Sequence, residues 1–382
     1  MALEGGEPAT LRAPAAAGAL PARRQPAPPL RGDLLPILLL TFTRKSAEEM
    51  LERVGALIGS RSQRVCGGTF HSVANMLLRR YGRVLGIEPG FTIMDRGDAE
   101  DLIALLRAQL GLNEKDKRFP RKGTIAEIYS KCENTLRGLE DIVLDEFSHF
   151  ADHLEALAKL QRAYQLAKRQ RQLLDYDDLL VLLRELLTKD EQVRQTISQQ
   201  FRYILVDEYQ DTNRLQAELI RKLAATHDNV MVVGDDSQSI YAFRGATFRN
   251  IMEFPSWFPG ATIYKLEENY RSTTPILHTA NSLIKNNVGR RPKSLWSRNQ
   301  GKDLVRLIAN EDDKEEADMI AKEVETAHFA NKQALEEFAV LFRTNEQSRI
   351  LEQAFRQRKI AYRVVGARSF FDRREVKDIL SY

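Results

Sequence analysis

Cysteine is scarce, with Cys66 and Cys132 the only two in 382 residues. Neither belongs to a Cys-x-x-Cys pair. That sets aside a disulfide framework or a thiolate metal site and fits two reduced thiols in a cytosolic protein. Long apolar runs are missing too. The longest strongly apolar stretch is Leu34–Leu40, broken by Pro36, whereas a bilayer-spanning helix needs about 20 such residues. No charged-then-apolar leader opens the chain, so no membrane partner is expected. An excess of one charge is also absent, because 57 Lys and Arg stand against 53 Asp and Glu for a net +4. A basic footprint for nucleic acid must therefore be local. What is present, 43% hydrophobic residues, is enough for two or three domains with their own cores.

Residues 1–33 are rich in Ala, Pro, Gly and Arg and show neither a strand nor a helix period. Such a stretch buries too little apolar surface to offset its ordering entropy, so it is expected to be disordered. From Pro36 the pattern changes. Ile37–Leu40 reads as a strand buried on both faces, as in a parallel sheet. Thr43 or Ser46 then caps a helix, and Ser46 with Glu49 fits a capping box. Val65–Thr69 is a second strand running into a helix over Val73–Leu85. Asp98–Gln109, Thr124–Arg137 and Phe147–Leu187 have helical spacing with almost no strand signal, so they read as a helical insertion. The strand-helix alternation returns at Tyr203–Val206 and Asn229–Val233. It continues at Thr262–Leu266 with a helix after Thr274, and at Ala339–Arg343 with a helix over Gln347–Gln357. The fold class is α/β, and ligands of such open sheets sit beyond the carboxyl ends of the strands.

Chemistry concentrates at those ends. In Leu205-Val206-Asp207-Glu208-Tyr209-Gln210-Asp211-Thr212-Asn213, an apolar strand delivers two adjacent carboxylates. One can hold Mg²⁺ beside a triphosphate and the other can polarise an attacking water. The next strand leads into Gly234-Asp235-Asp236-Ser237-Gln238-Ser239-Ile240-Tyr241-Ala242-Phe243-Arg244. There Gln238 can sense a γ-phosphate, and two rings stand beside a cation. Rings stack on bases of any sequence, although two aromatics at this spacing fit a core equally well. Phe42, after a buried strand, fits core or ligand contact, and His71 fits a helix cap or ligand contact. Asp177 and Asp178 are expected as helix caps and salt-bridge partners.

Both strings, in this order, resemble motifs of UvrD/Rep/PcrA-like superfamily 1 DNA helicases. The resemblance extends to Leu40–Met50, Gly68–Ser72, Leu174–Leu180, Leu266–Thr273, Val340–Asn345 and Phe370–Asp378. It implies a RecA-like parallel-sheet motor domain with a helical insertion, plus part of a second RecA-like domain. The implied borders are 1–33 disordered or non-native, 34–90 and 173–260 the first motor domain, 91–172 the helical insertion, and 261–382 the incomplete second motor domain. The implied ligands are ATP, Mg²⁺, single-stranded DNA and single/double-strand junctions, with repair or replication proteins as partners and a cytoplasmic, nucleoid-associated location. By the same resemblance Asp207 holds Mg²⁺, Glu208 is the catalytic base, and Gln238 links the γ-phosphate to DNA. Tyr270 stacks on adenine and Arg271 contacts the γ-phosphate. Phe42, His71, Tyr241, Phe243 and Arg244 line the single-strand track.

One family element is not found. No Gly-Lys-Thr or Gly-Lys-Ser occurs in residues 1–33, where a phosphate-binding loop is expected. Such a loop works through backbone N–H groups at a helix start plus one Lys. The later family motifs are not found either. The sequence thus leaves two readings. One is an incomplete or inactive form of a 3′–5′ ATP-dependent helicase, and the other is a non-catalytic protein that binds single strands or a partner.

Overall fold

The structure, a computed structural model, describes residues 37–112, 119–242 and 245–365. The disorder expected for residues 1–33 and the segment Phe370–Asp378 lie outside the described residues. Two compact units are found. One holds the described residues up to Glu267 with Leu283–Ser294, and the other holds Glu268–Ser282 and the described residues from Leu295 on.

The first unit is built on a parallel sheet. Strand β1 (Ile37–Thr41) leads into helix α1 (Arg44–Ile58), and β2 (Val65–Thr69) into α2 (Phe70–Tyr81). Thr43 is the α1 cap, its Oγ1 accepting from the Ser46 N–H at 3.1 Å. The expected Ser46–Glu49 capping box is therefore corrected: the chain turns helical one residue after Thr43, which puts Ser46 already at the third helical position. The β2–α2 junction is tight, since a Cβ on Gly68 would lie 2.3 Å from Ser72 Oγ.

The helical segment follows. It contains β3 (Thr92–Ile93), α3 (Arg96–Gln109), α4 (Lys122–Thr135), α5 (Leu139–Glu146), α6 (Leu154–Gln170) and β4 (Leu173–Leu174). Its own core gathers Leu102, Ile103, Ile125, Ile128, Ile142, Val143, Leu157 and Leu160. The helical spacing of Phe147–Leu187 is interrupted once, between α6 and the following helix. β4 pairs in parallel with β3 and ends α6, and Gln172 takes a left-handed φ of 52°.

The chain then re-enters the sheet unit through α7 (Tyr176–Lys189), α8 (Glu191–Gln200), β5 (Tyr203–Val206), α9 (Arg214–Leu223), β6 (Val230–Val232) and α10 (Arg249–Trp257). The sheet order is β2-β1-β5-β6, all parallel. Side chains at alternate positions, Leu38 and Leu40 on β1 and Ile204 and Val206 on β5, face a core shared with α2, α7 and α9. Leu39 points the other way, on the side where α1 packs against β1 and β2.

The other unit holds α12 (Asp313–Asn331), α13 (Asn345–Gln357) and most of α11 (Thr274–Ile284). α12 and α13 pack through Ala317, Ala321 and Ala354. The strands expected at Thr262–Leu266 and Ala339–Arg343 are not formed among the described residues. A strand exists only by its ladder partners. These segments run without one, and Tyr264, Leu266 and Leu341 stay more than 80% exposed. Among the described residues no helix is long and apolar enough to cross a membrane.

α7 is wedged between α2 and α9, and its Leu180 is fully buried. Leu180→Ala is expected to cost about 2–5 kcal/mol through lost contacts and a residual cavity. Urea denaturation checks this, and a loss under about 1 kcal/mol would mean that α7 does not carry the sheet core.

Candidate functional site

Four apolar residues carry β5 to the sheet's carboxyl edge, and Asp207 and Glu208 follow at once. The edge is closely defined. The Asp207 N–H donates to the Leu40 carbonyl of β1 at 2.9 Å, and the Tyr209 N–H to the Val233 carbonyl after β6 at 3.0 Å. Glu208, between them, has φ 50° and ψ 44°, a left-handed conformation that costs a non-glycine residue about 1–2 kcal/mol. It is held there because both neighbours are bonded to adjacent strands and the Asp211 N–H donates to the Glu208 carbonyl at 2.9 Å.

The turn behind it is polar yet buried, with Gln210, Asp211, Thr212 and Asn213 all under 9% exposed. Buried polar groups need partners, and most are present. Asn250 Nδ2 donates to the Thr212 and Asn213 carbonyls at 2.9 and 3.0 Å. Gln210 Nε2 donates to Glu208 Oε2 at 2.6 Å. Burial, and then the Glu208 charge, push the Asp211 carboxyl up to about 6. Gln210 and Asp211 were not singled out from the sequence, although both stand within its strongest motif.

The loop after β6 is folded around Asp235. Its Oδ2 accepts from Gln238 Nε2 and its Oδ1 from the Ser237 N–H, both at 2.9 Å. Lys293 forms an ion pair with Asp235. The Asp235 carboxyl is held below its usual value: burial works against this, but the Lys293 hydrogen bond leads the groups that outweigh it. Gln238 is exposed at this edge.

Phe42, in the turn after β1, meets Tyr241 with ring centroids 5.1 Å apart. His71 lies in the first turn of α2 and meets Tyr176, the first residue of α7, edge-on at 5.9 Å. The cap of α2 is Thr69, whose Oγ1 accepts from the Ser72 N–H at 3.2 Å, so His71 is not the helix cap. Burial lowers the His71 pKa, favouring the neutral ring. Phe243 and Arg244 lie outside the described residues. Tyr176 was missed because its partner is 105 positions away; only the fold joins them.

Asp178 is a salt-bridge partner, as expected, but the cap is Asp175, and Asp177 accepts a hydrogen bond from Asn134 in place of the expected cap or ion pair. Asp178 and Asp175 form the capping box of α7. Lys168 Nζ bridges Asp175 at 2.6 Å and Asp178 at 2.7 Å. Asn134 of α4 donates to Asp177 at 2.8 Å and accepts from Asn213 at 2.6 Å, joining the helical segment to the polar turn after β5.

The second unit carries Tyr270 and Arg271 on an exposed turn. Asn269 Oδ1 shapes it by accepting the Arg271 and Ser272 N–H groups at 2.9 and 2.7 Å. The Tyr270 hydroxyl donates to Glu268 at 2.9 Å, and that hydrogen bond raises its pKa. Tyr270 is 79% exposed.

Among the described residues no group of three or more His, Cys, Asp or Glu side chains can hold a metal unaided. A half-buried Asp207 at a strand end still fits Mg²⁺, which keeps several waters and needs only one or two carboxylates beside substrate phosphates.

The site thus consists of a parallel sheet with two adjacent carboxylates at its carboxyl edge and a helical segment inserted between two of its strands. Residues 29–259 match the UvrD/REP helicase N-terminal domain and residues 264–382 the UvrD-like helicase C-terminal domain. The chain belongs to the UvrD/REP helicase family, and its fold class is the RecA-like one that this family shares. It is 40% identical over 347 residues to the ATP-dependent DNA helicase PcrA of Staphylococcus epidermidis, a match covering 91% of this chain and 46% of that protein. The protein of the same name from Staphylococcus aureus is 38% identical over the same coverage. The chain thus spans about half the length of the curated relatives it matches.

The Lys168 cluster makes a pH dependence. Burial, and then the Asp175 charge, push the Asp178 carboxyl up to about 7. The folded state then binds this proton more tightly than the unfolded chain does. Its stabilising share is complete below the unfolded carboxylate pKa of about 4 and is lost as the pH rises through about 7. Asp178→Asn removes that loss. Melting temperatures are expected to show the variant gaining on the parent between about pH 4 and 7, and a difference constant with pH would contradict the assignment.

Proposed function

We propose that this chain is the nucleotide- and DNA-handling part of an ATP-dependent DNA helicase that moves 3′ to 5′ along single strands. The observation that carries this reading is the shared sheet edge. Asp207 and Glu208 leave β5 beside the Gln238 loop, and the Phe42–Tyr241 ring pair joins the turn after β1 to that same loop.

The chemistry assigned to each residue follows. Asp207 would hold Mg²⁺, which would neutralise charge on the phosphates. Glu208 accepts a proton from the attacking water, and Gln238 reports the γ-phosphate to the aromatic loop. Tyr270 stacks on adenine, and Arg271 offsets charge on the transferred phosphoryl group. Phe42, His71 and Tyr241 contact the strand, with Phe243 and Arg244 assigned to the same track by resemblance. The assigned setting is cytoplasmic and nucleoid-associated, with repair or replication proteins as partners.

The sequence contains no Gly-Lys-Thr or Gly-Lys-Ser, and a second reading, in which the chain binds single strands without turnover, stands beside the first. Positioning supplies most of the catalysis in phosphoryl transfer. The chain alone is therefore expected to show no DNA-stimulated ATP hydrolysis above background. Phosphate-release assays check this. Robust turnover abolished by Glu208→Gln would overturn the second reading and support the first outright.

Both readings require strand binding. Phe42→Ala and Tyr241→Ala are each expected to weaken oligonucleotide binding by about 1–3 kcal/mol. The logarithm of affinity should fall with log salt by about 0.7 per neutralised phosphate. Fluorescence anisotropy reads both effects. Folded variants that bind like the parent would make these rings packing groups only.

A further inference from the structure

Gln210 is 1% exposed and uses both ends of its side chain. Nε2 donates to Glu208 Oε2 at 2.6 Å, and Oε1 accepts the Asp235 N–H at 2.9 Å. The chemistry fixes this amide orientation, because a backbone N–H needs an acceptor and a carboxylate needs a donor. Beyond Asp235 the bonds continue, with Gln238 Nε2 on Asp235 Oδ2 at 2.9 Å and the Ser239 hydroxyl on the Gln210 carbonyl at 3.3 Å. Gly234 makes the approach feasible, since a Cβ there would stand 2.6 Å from Gln210 Oε1 and 3.2 Å from the Tyr209 nitrogen. Neither Asn nor Glu at this position does the same work. Asn is one methylene short, and Glu would set a second carboxylate against Glu208.

We propose that Gln210 is a positioning residue: it couples the Glu208 carboxylate to the backbone of the Gly234–Tyr241 loop, so that a shift at either end is felt at the other. One end of this relay is the assigned base and the other is the loop whose Tyr241 ring meets Phe42 at a tilt. Its service in turnover rests on the function proposed above, whereas the coupling itself needs neither nucleotide nor DNA.

Amide hydrogen exchange on the whole chain, without ligand, tests it. Gln210→Met keeps the volume and removes both bonds. It is expected to speed exchange at the Asp235 amide about three- to tenfold, as for loss of one buried hydrogen bond, with β5 and α7 amides unchanged. Glu208→Ala, at a half-buried position, is expected to speed Asp235 exchange by a smaller factor, and to add nothing in the Gln210→Met background. Unchanged Asp235 exchange in Gln210→Met overturns the proposal, as does an equal effect of Glu208→Ala in both backgrounds. Should Gln210→Met fail to fold, Glu208→Ala alone decides, and an unmoved Asp235 amide overturns the relay. This pattern in a chain that binds no single strands would leave the relay standing and remove the proposed function. The reverse combination would do the opposite.

Discussion

Everything at the site hangs from the parallel pairing of β5 between β1 and β6. The register aligns Leu40 with Val206 and Val206 with Val232, so β5 and β6 end together and β1 runs one residue further. A slip of one residue would turn Val206 out of the core and Asp207 into it, since side chains alternate along a strand. The apolar face of β5 thus determines where two carboxylates emerge. The left-handed Glu208 is tolerated for the same reason, because the bonds on both sides of it belong to the sheet.

A second layer of order is polar. Buried amides and hydroxyls in the turn after β5 are tied to elements distant in sequence: Asn250 from α10, Asn134 from α4, and the Asp235 backbone after β6. Partners left unmade in such a setting cost more than made ones contribute, so the turn has one arrangement rather than several. Lys168 plays the matching part beneath α7. Burial alone would lower its pKa, but the Asp178 and Asp175 charges outweigh that and hold the ammonium above its usual value.

The sheet strands and the site's carboxylates were legible because each depends on local signals. Ile37–Leu40 and Tyr203–Val206 are short apolar runs, and Asp207-Glu208 follows one of them directly. Phe42 and Tyr241 could be named as rings, but not as a pair. Their contact spans 199 positions, and no period or spacing encodes it. Gln210 was invisible for a related reason, since its value lies in a bond to a backbone amide 25 residues on. The strands expected near Thr262 and Ala339 failed differently. An apolar run gives a tendency to extend, but a ladder needs a neighbour that the run itself does not specify.

The central claim is that the end of β5 holds the metal and that the loop after β6 reads it. Paramagnetic Mn²⁺, added to the isotopically labelled chain with ATP, broadens amide resonances near the bound ion. Broadening centred on Asp207, Glu208 and the 234–238 loop, and lost in Asp207→Asn, is the expected result. Broadening centred instead on the Asp175–Asp178 cluster, or indifferent to Asp207→Asn, would contradict it.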